Sequence, residues 1–189
     1  MSQFPSRRLA RLAGGLVVAA ALAPASLAQA DTAPVTVAVT GAPAVTLSSP
    51  SFGNFAAVVL NGSAQTTTAT VGNWSVNDAT GTAAGWSINV EADTPHNAGS
   101  TVTMAGAAMA LTAPTVAATD VSNTATAPAV AAGDILGAGG VNVANAIAGD
   151  GQGQWSLTQA ADSLTLTVPA SARADSYTST ITTTVNLAV

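Results

Sequence analysis

The chain has 189 residues, no cysteine and a formal net charge of −5 at pH 7. With no cysteine and one histidine it lacks the ligands of an ordinary zinc site, so we expect neither a metal nor a cofactor. Its acidic balance repels phosphate backbones, which excludes nucleic acid as a partner.

The first thirty residues have the pattern of a secretory signal peptide. Three arginines precede a short apolar run, and Ala28-Gln29-Ala30 supplies a small-x-small cleavage site. The apolar run is too short for a membrane span, which needs about 20 apolar residues. We therefore predict a signal peptide over residues 1–30 and a secreted, non-membrane-spanning domain over residues 31–189. That domain holds one arginine against nine acidic residues, a net charge of −8.

Short stretches of alternating apolar and polar residues follow one another along this domain, and a period of two is typical of half-buried strands. Val35, Val37 and Val39 predict a first strand, and Val45 and Leu47 predict a second.

The stretch 71–90 carries the clearest alternation. Trp74-Ser75-Val76 and Trp86-Ser87-Ile88 predict two strands, and Trp155-Ser156-Leu157 repeats the triplet far downstream. A buried tryptophan removes roughly 150–250 Å² from water, worth about 4–6 kcal/mol before entropy is counted. We expect these three indoles to be largely buried core anchors. The alternative is that one or more lines a shallow groove and stacks on sugar rings, so burial of all three would favour the core interpretation.

The loop from Asp78 to Trp86 is a second candidate for ligand contact. Loops on a rigid scaffold often carry function, and the small residues here would let a polymer approach the backbone. In this interpretation Asp78 accepts hydrogen bonds from a glycan. In the alternative it caps its own turn, as short Asp side chains often do.

The last third of the chain again alternates. After a glycine- and alanine-rich stretch over 117–153, which predicts long loops with one or two short strands, residues 164–168 and 177–187 predict strands rich in threonine. Tyr177 opens the second of these strands, either as the tyrosine corner of a Greek-key sandwich or as an ordinary edge tyrosine. Many short strands without helical periodicity indicate an all-β protein, a single Greek-key-like β-sandwich.

The inventory of reactive side chains does not favour an enzyme. His96 lies beside a proline in a polar loop, and no serine has the surroundings of a nucleophile elbow. We expect no catalytic residues.

Beyond these patterns, the chain resembles the WxL-domain family of Gram-positive surface proteins. The resemblance is carried by N-W-S-V-N-D-A-T-G-T-A-A-G-W-S-I, by G-Q-W-S-L and by L-T-L-T-V-P-A-S-A-R-A-D-S-Y-T-S-T-I-T, which span roughly residues 51–189. The family is named for two Trp-x-Leu motifs. Trp86-Ser87-Ile88 matches the first with isoleucine for leucine, and Thr183-Thr184-Val185 stands at the second without its tryptophan.

The resemblance implies an exported, non-enzymatic protein that binds the cell wall non-covalently. The expected partners are peptidoglycan or another surface glycan, together with other surface proteins, with Asp78, Trp74, Trp86 and Trp155 as candidate contacts. The alternative function is a structural subunit that assembles into a surface layer or fibre through strand edges.

Overall fold

The computed structural model describes residues 36–187, and every regular element in that range is a strand. Within it, the fourteen strands in chain order are β1 (Thr46–Ser48), β2 (Gln65–Ala69), β3 (Trp74–Asp78), β4 (Trp86–Ala92), β5 (His96–Asn97), β6 (Ala108–Leu111), β7 (Thr115–Ala118), β8 (Ala129–Val130), β9 (Gly133–Asp134), β10 (Val141–Ala146), β11 (Gly153–Thr158), β12 (Leu164–Val168), β13 (Tyr177–Thr178) and β14 (Ile181–Leu187). The prediction of an all-β protein is confirmed.

The strands pair into three four-stranded antiparallel sheets and one two-stranded ribbon. The sheet orders are β1-β3-β11-β7, β14-β4-β10-β8 and β2-β12-β6-β9, and β13 pairs with β5. A single Greek-key-like sandwich remains a prediction. Across residues 36–187 the structure contains no helix with the length and apolarity to cross a membrane.

Alternation places one face of each long strand in the core. Trp86, Ile88, Val90 and Ala92 of β4 are all buried, whereas the residues between them are partly exposed. The same pattern holds in β3 and β12. The period-two pattern of the sequence therefore identified both the strands and their buried faces.

The structure corrects three of the strand predictions. The first expected strand does not form: Val35 lies outside the described residues, and 36–40 has no regular structure, leaving Val37 and Val39 exposed at 79% and 86%. Loops were overpredicted over 117–153, which contains β8, β9 and the six-residue β10. The C-terminal strand is interrupted before Ile181, where Ser179 Oγ donates to Asp93 O at 2.7 Å.

The predicted signal peptide of residues 1–30 lies outside the described residues. All fourteen strands belong to one compact unit that begins at Val39. The predicted start of the secreted domain at residue 31 remains a prediction.

Two tryptophans from different sheets meet at one backbone carbonyl. Trp86 Nε1 of β4 and Trp155 Nε1 of β11 both donate to Gly151 O, each at 3.0 Å. Gly151 has a φ of +73°, and a Cβ there would overlap Ala146 and come within 2.9 Å of Trp86 Nε1. Only glycine fits this position, because any side chain would be strained and would enter the space of the indole.

We expect Gly151→Ala to lower the free energy of unfolding by roughly 2–4 kcal/mol, from backbone strain together with overpacking. Gly149→Ala is the matched control, because Gly149 also has a positive φ of +94° but has open space around its Cβ position. Chemical denaturation followed by tryptophan emission measures both variants. Equal losses of stability would show that the contact with Trp86 does not matter.

Candidate functional site

The residues singled out for ligand contact are core residues in the structure. The exposed fractions are 1% for Trp74, 1% for Trp86, 3% for Trp155 and 3% for Asp78. Trp74 and Trp155 lie on neighbouring strands of one sheet, and Trp86 lies in another. Burial of all three indoles favours their interpretation as core anchors, since none presents a face on which a sugar could stack.

Asp78 makes the contacts of a turn cap. Its Oδ1 accepts hydrogen bonds from the backbone N–H of Thr80 at 3.1 Å and from the Thr80 hydroxyl at 2.7 Å. Thr80 Oγ1 in turn lies 3.0 Å from Thr82 Oγ1. These bonds hold the start of the loop in a fixed turn, as Asp side chains commonly do. The geometry therefore supports the capping interpretation.

The small residues of this loop pack against the protein itself. A Cβ at Gly85 would overlap the carbonyl oxygen of Ala146, and Gly149 N–H donates to Ala83 O at 2.9 Å. Near the start of the loop, Ala42 N–H donates to Ala79 O at 2.7 Å. The small residues do let another backbone come close to the loop, as expected. That backbone belongs to other segments of the same protein and not to a ligand.

Asp78→Ala should lower the free energy of unfolding by about 1–2 kcal/mol, because it leaves the Thr80 N–H without its acceptor in a partly buried turn. Asp120 is a matched control: its Oδ1 accepts the same pair of bonds from Ser122, both at 2.8 Å, on the exposed surface. We expect a smaller loss for Asp120→Ala in thermal unfolding. The folded Asp78→Ala variant should be retained on the cell wall as well as the unchanged protein. Weaker retention without a loss of stability would show instead that Asp78 contacts the ligand.

A surface groove elsewhere gathers the other aromatic residues of the described part of the chain. Two adjoining depressions of about 570 and 690 Å³ share Phe55, Leu166, Ser176 and Tyr177, and Phe52 lines the first. We call this surface, defined by those five residues, the Tyr177 groove. The chain has seven aromatics: three buried tryptophans, Phe4 outside the described residues, and the three half-buried rings in this groove.

One wall of the Tyr177 groove is an irregular segment, residues 52–60, held in place by backbone and side-chain bonds. Gly53 N–H donates to Thr70 O at 2.8 Å, which fixes Phe52 and Phe55 near the end of β2. Further along, Thr67 Oγ1 donates to Ala56 O at 3.0 Å. The segment forms no regular strand pairing, but its hydrogen bonds to β2 and to Thr70 hold Phe52 and Phe55 in defined positions.

The opposite wall is β13 and the turn before it. The Tyr177 hydroxyl donates to Arg173 O at 3.0 Å, four residues upstream, which is the hydrogen bond of a tyrosine corner. This contact supports a structural role for Tyr177 while its ring lines the groove. Asn97 of β5 donates from Nδ2 to Asp175 Oδ2 at 3.0 Å, joining the ribbon to the same turn.

The charges at the rim of the Tyr177 groove are of both signs. Arg173 is the only lysine or arginine among residues 36–187, and it lines the second depression together with Asp175. The pKa of Asp175 lies below its usual range, chiefly because the backbone N–H of Ser176 donates to its carboxylate and secondly because Asn97 does. At neutral pH the rim therefore offers a fixed cation, a carboxylate and several hydroxyls beside three aromatic rings.

Sequence reasoning missed this groove because its two walls are distant in the chain. Phe52 and Phe55 precede Tyr177 by well over a hundred residues, and their segment has no strand pattern. The available signal was the arrangement F-G-N-F over residues 52–55: two aromatics in a turn, where no alternation requires their burial.

The two motif positions lie side by side in one sheet. Trp86-Ser87-Ile88 is in β4 and Thr183-Thr184-Val185 is in β14, and the register pairs Ile88 with Val185. Thr183 faces Val90 of β4, in the row that is buried along β4 but only half-buried along β14.

Comparison with known protein families matches residues 44–187 to the WxL domain, described as a surface cell wall-binding domain. Neither the curated proteins nor the solved structures compared with the chain gave a match. The family match covers most of the chain and nearly all of the described residues. The chain belongs to the WxL-domain family, whose members are cell-surface domains that bind the cell wall.

Proposed function

We propose that this protein is exported by cleavage after Ala30 and is held non-covalently on peptidoglycan, without enzymatic activity, through the Tyr177 groove. The observation that carries the proposal is the gathering of Phe52, Phe55 and Tyr177 with Arg173 along one open groove. Ligand sites typically combine aromatic walls with a few placed polar groups.

Each part of this groove suits one part of a peptidoglycan strand. The C–H groups on the face of a sugar ring carry partial positive charge and pack on the negative face of an aromatic ring. Arg173 suits the free carboxylates of the stem peptides, because a guanidinium forms paired hydrogen bonds to a carboxylate. Asp175 and the hydroxyls of the β13 turn suit amide N–H groups and sugar hydroxyls.

A role in binding rather than hydrolysis is supported by the position of the histidine. His96 Nδ1 lies 3.2 Å from the carbonyl oxygen of Thr94, two residues earlier, and β5 pairs His96 with Thr178. The ring thus contacts backbone of its own turn, where it has the surroundings of a structural residue.

A binding experiment on purified peptidoglycan tests the proposal. We expect the folded domain to sediment with insoluble peptidoglycan and to be released by soluble glycan-peptide fragments, while the turbidity of the suspension stays constant. Failure to sediment contradicts peptidoglycan as the ligand, and a falling turbidity with release of soluble sugars contradicts the non-enzymatic role. Parallel sedimentation with wall polymers stripped of peptide stems shows whether the glycan suffices.

Variants of the Tyr177 groove locate the binding surface. Phe55→Leu keeps apolar volume but removes a ring face, and we expect roughly tenfold weaker binding, or about 1.4 kcal/mol. Arg173→Gln should weaken binding about threefold, the range of an exposed ion pair, and reduce its sensitivity to salt.

Each variant has its own control. Val121→Glu changes the net charge by the same amount as Arg173→Gln, at a fully exposed residue outside the groove lining. Tyr177→Phe keeps the ring and loses only the bond to Arg173 O, so it should bind normally with a small loss of stability. Unchanged binding by both Phe55→Leu and Arg173→Gln would remove the groove from the proposal.

A further inference from the structure

The longest sheet edge among the described residues is β14. This seven-residue strand is the outermost in the order β14-β4-β10-β8 and pairs with β4 in unbroken register from Ile181 to Leu187. Within residues 36–187 no strand pairs with its other side. The edge strands of the other sheets and of the ribbon have two to five residues, and β2 among them is covered by its bonds to the segment 52–60.

The backbone of β14 presents hydrogen-bonding groups outward at every second residue. Asp93 N–H donates to Thr180 O at 3.1 Å, so Thr180 points its backbone groups toward the strand of β4. Antiparallel pairing alternates, which directs the N–H and C=O groups of Ile181, Thr183 and Val185 away from β4. These groups form a template for a further strand.

The edge also carries none of the features with which proteins block strand addition. Its sequence, I-T-T-T-V-N-L, has no charge, no proline and no glycine, and its register has no bulge. Ile181, Thr183 and Val185 are half-buried and Leu187 is 45% exposed, although they continue the fully buried row of β4. An added strand would complete the burial of this row.

The same chain contains a segment with the chemistry of such a strand. Residues 36–40, T-V-A-V-T, alternate in strand fashion and carry no charge, yet they have no regular structure. Val37 and Val39 are exposed at 79% and 86%. Because a strand requires a neighbouring edge, this segment has the pattern of a strand without its partner.

We propose that residues 36–40 of one copy add as an outer strand to β14 of a second copy. Because donor and acceptor are different surfaces, each copy offers both and the contact is heterologous, which builds a ring or an open fibre according to the rotation between successive copies. The valines would cover the row of Ile181, Thr183 and Val185, and the backbones would pair as in other strand-addition complexes. Of this row only Ile181 borders the Tyr177 groove, where it lines the first depression, and the contact does not depend on the proposed wall binding.

The charges of the chain predict how this assembly responds to salt. Neither the donor segment nor β14 has a charge, while the domain as a whole is acidic, so copies repel one another at long range. Added salt screens this repulsion and should strengthen assembly. Wall binding through Arg173 should respond to salt in the opposite direction, so the two contacts are distinguishable.

Sedimentation of the chain from residue 31 onward, which contains every described strand, tests the proposal over a wide range of concentration. We expect oligomers that grow with concentration and salt. Val37→Lys with Val39→Lys should weaken association at least about tenfold, since charged residues would have to cover an apolar row. Thr183→Pro should do the same, because it removes an outward N–H and spares the ladder to β4.

Mixing the two variants gives the sharpest result. The double lysine variant keeps its β14 edge and the Thr183→Pro variant keeps its donor segment, so together they should form a heterodimer that does not extend. A monomer at all concentrations overturns the proposal, as does assembly that survives the double lysine change, which would point instead to β14 pairing with itself. If circular dichroism shows that Thr183→Pro does not fold, the double lysine variant alone still tests whether residues 36–40 are needed for assembly.

Discussion

The fold depends on one carbonyl group that two sheets share. Gly151 O accepts the indole N–H of Trp86 from one sheet and of Trp155 from another, each at 3.0 Å. Each bond contributes about 1 kcal/mol, and without this acceptor the buried N–H of Trp86 would cost about 1–3 kcal/mol. The N–H of Trp155 also donates to Gln152 O at 3.1 Å. The carbonyl therefore fixes the relative position of two of the three tryptophans in the core. In a chain without cysteine, this contact joins the two sheets without a covalent cross-link.

A chain this poor in aromatics divides them between two tasks. The three tryptophans fill the core, where their area contributes most to stability, and the other described rings line the Tyr177 groove. The division follows local structure. Tryptophans in alternating strands face inward together with the apolar residues on the same side of the strand. Phe52 and Phe55 lie instead in an irregular segment whose backbone is bonded to Thr70, just after β2, and to the Thr67 side chain of β2. A ring held by its backbone can stay half-exposed, because the segment does not depend on that ring for its position.

The sequence predicted those parts of the fold that local alternation determines. β3, β4 and β12 were recognisable because their apolar residues recur at every second position. β10 was not, since V-N-V-A-N-A is small and polar and its register to β4 shifts after Asn142. At Val37 and Val39 the sequence predicted a strand that does not form: the residues alternate, but they pair with no neighbouring strand among the described residues. Alternation records which residues suit a strand, while pairing depends on a partner that the local sequence does not contain. The Tyr177 groove was unpredictable for the same reason, because its walls meet only in the folded chain.

The departure of this chain from the motif of its family has a structural consequence at the sheet edge. The proximal motif is on β4, which pairs with β14 on one side and β10 on the other, and its inward-facing Trp86 and Ile88 are completely buried. The distal position is on β14, where Thr183 stands in place of a tryptophan, with one side of the strand open. A tryptophan buries roughly 150–250 Å², several times what a threonine methyl group covers. With threonine at this position, the apolar row shared by the two strands ends half-exposed, and the edge keeps both its backbone groups and its apolar surface available to another strand.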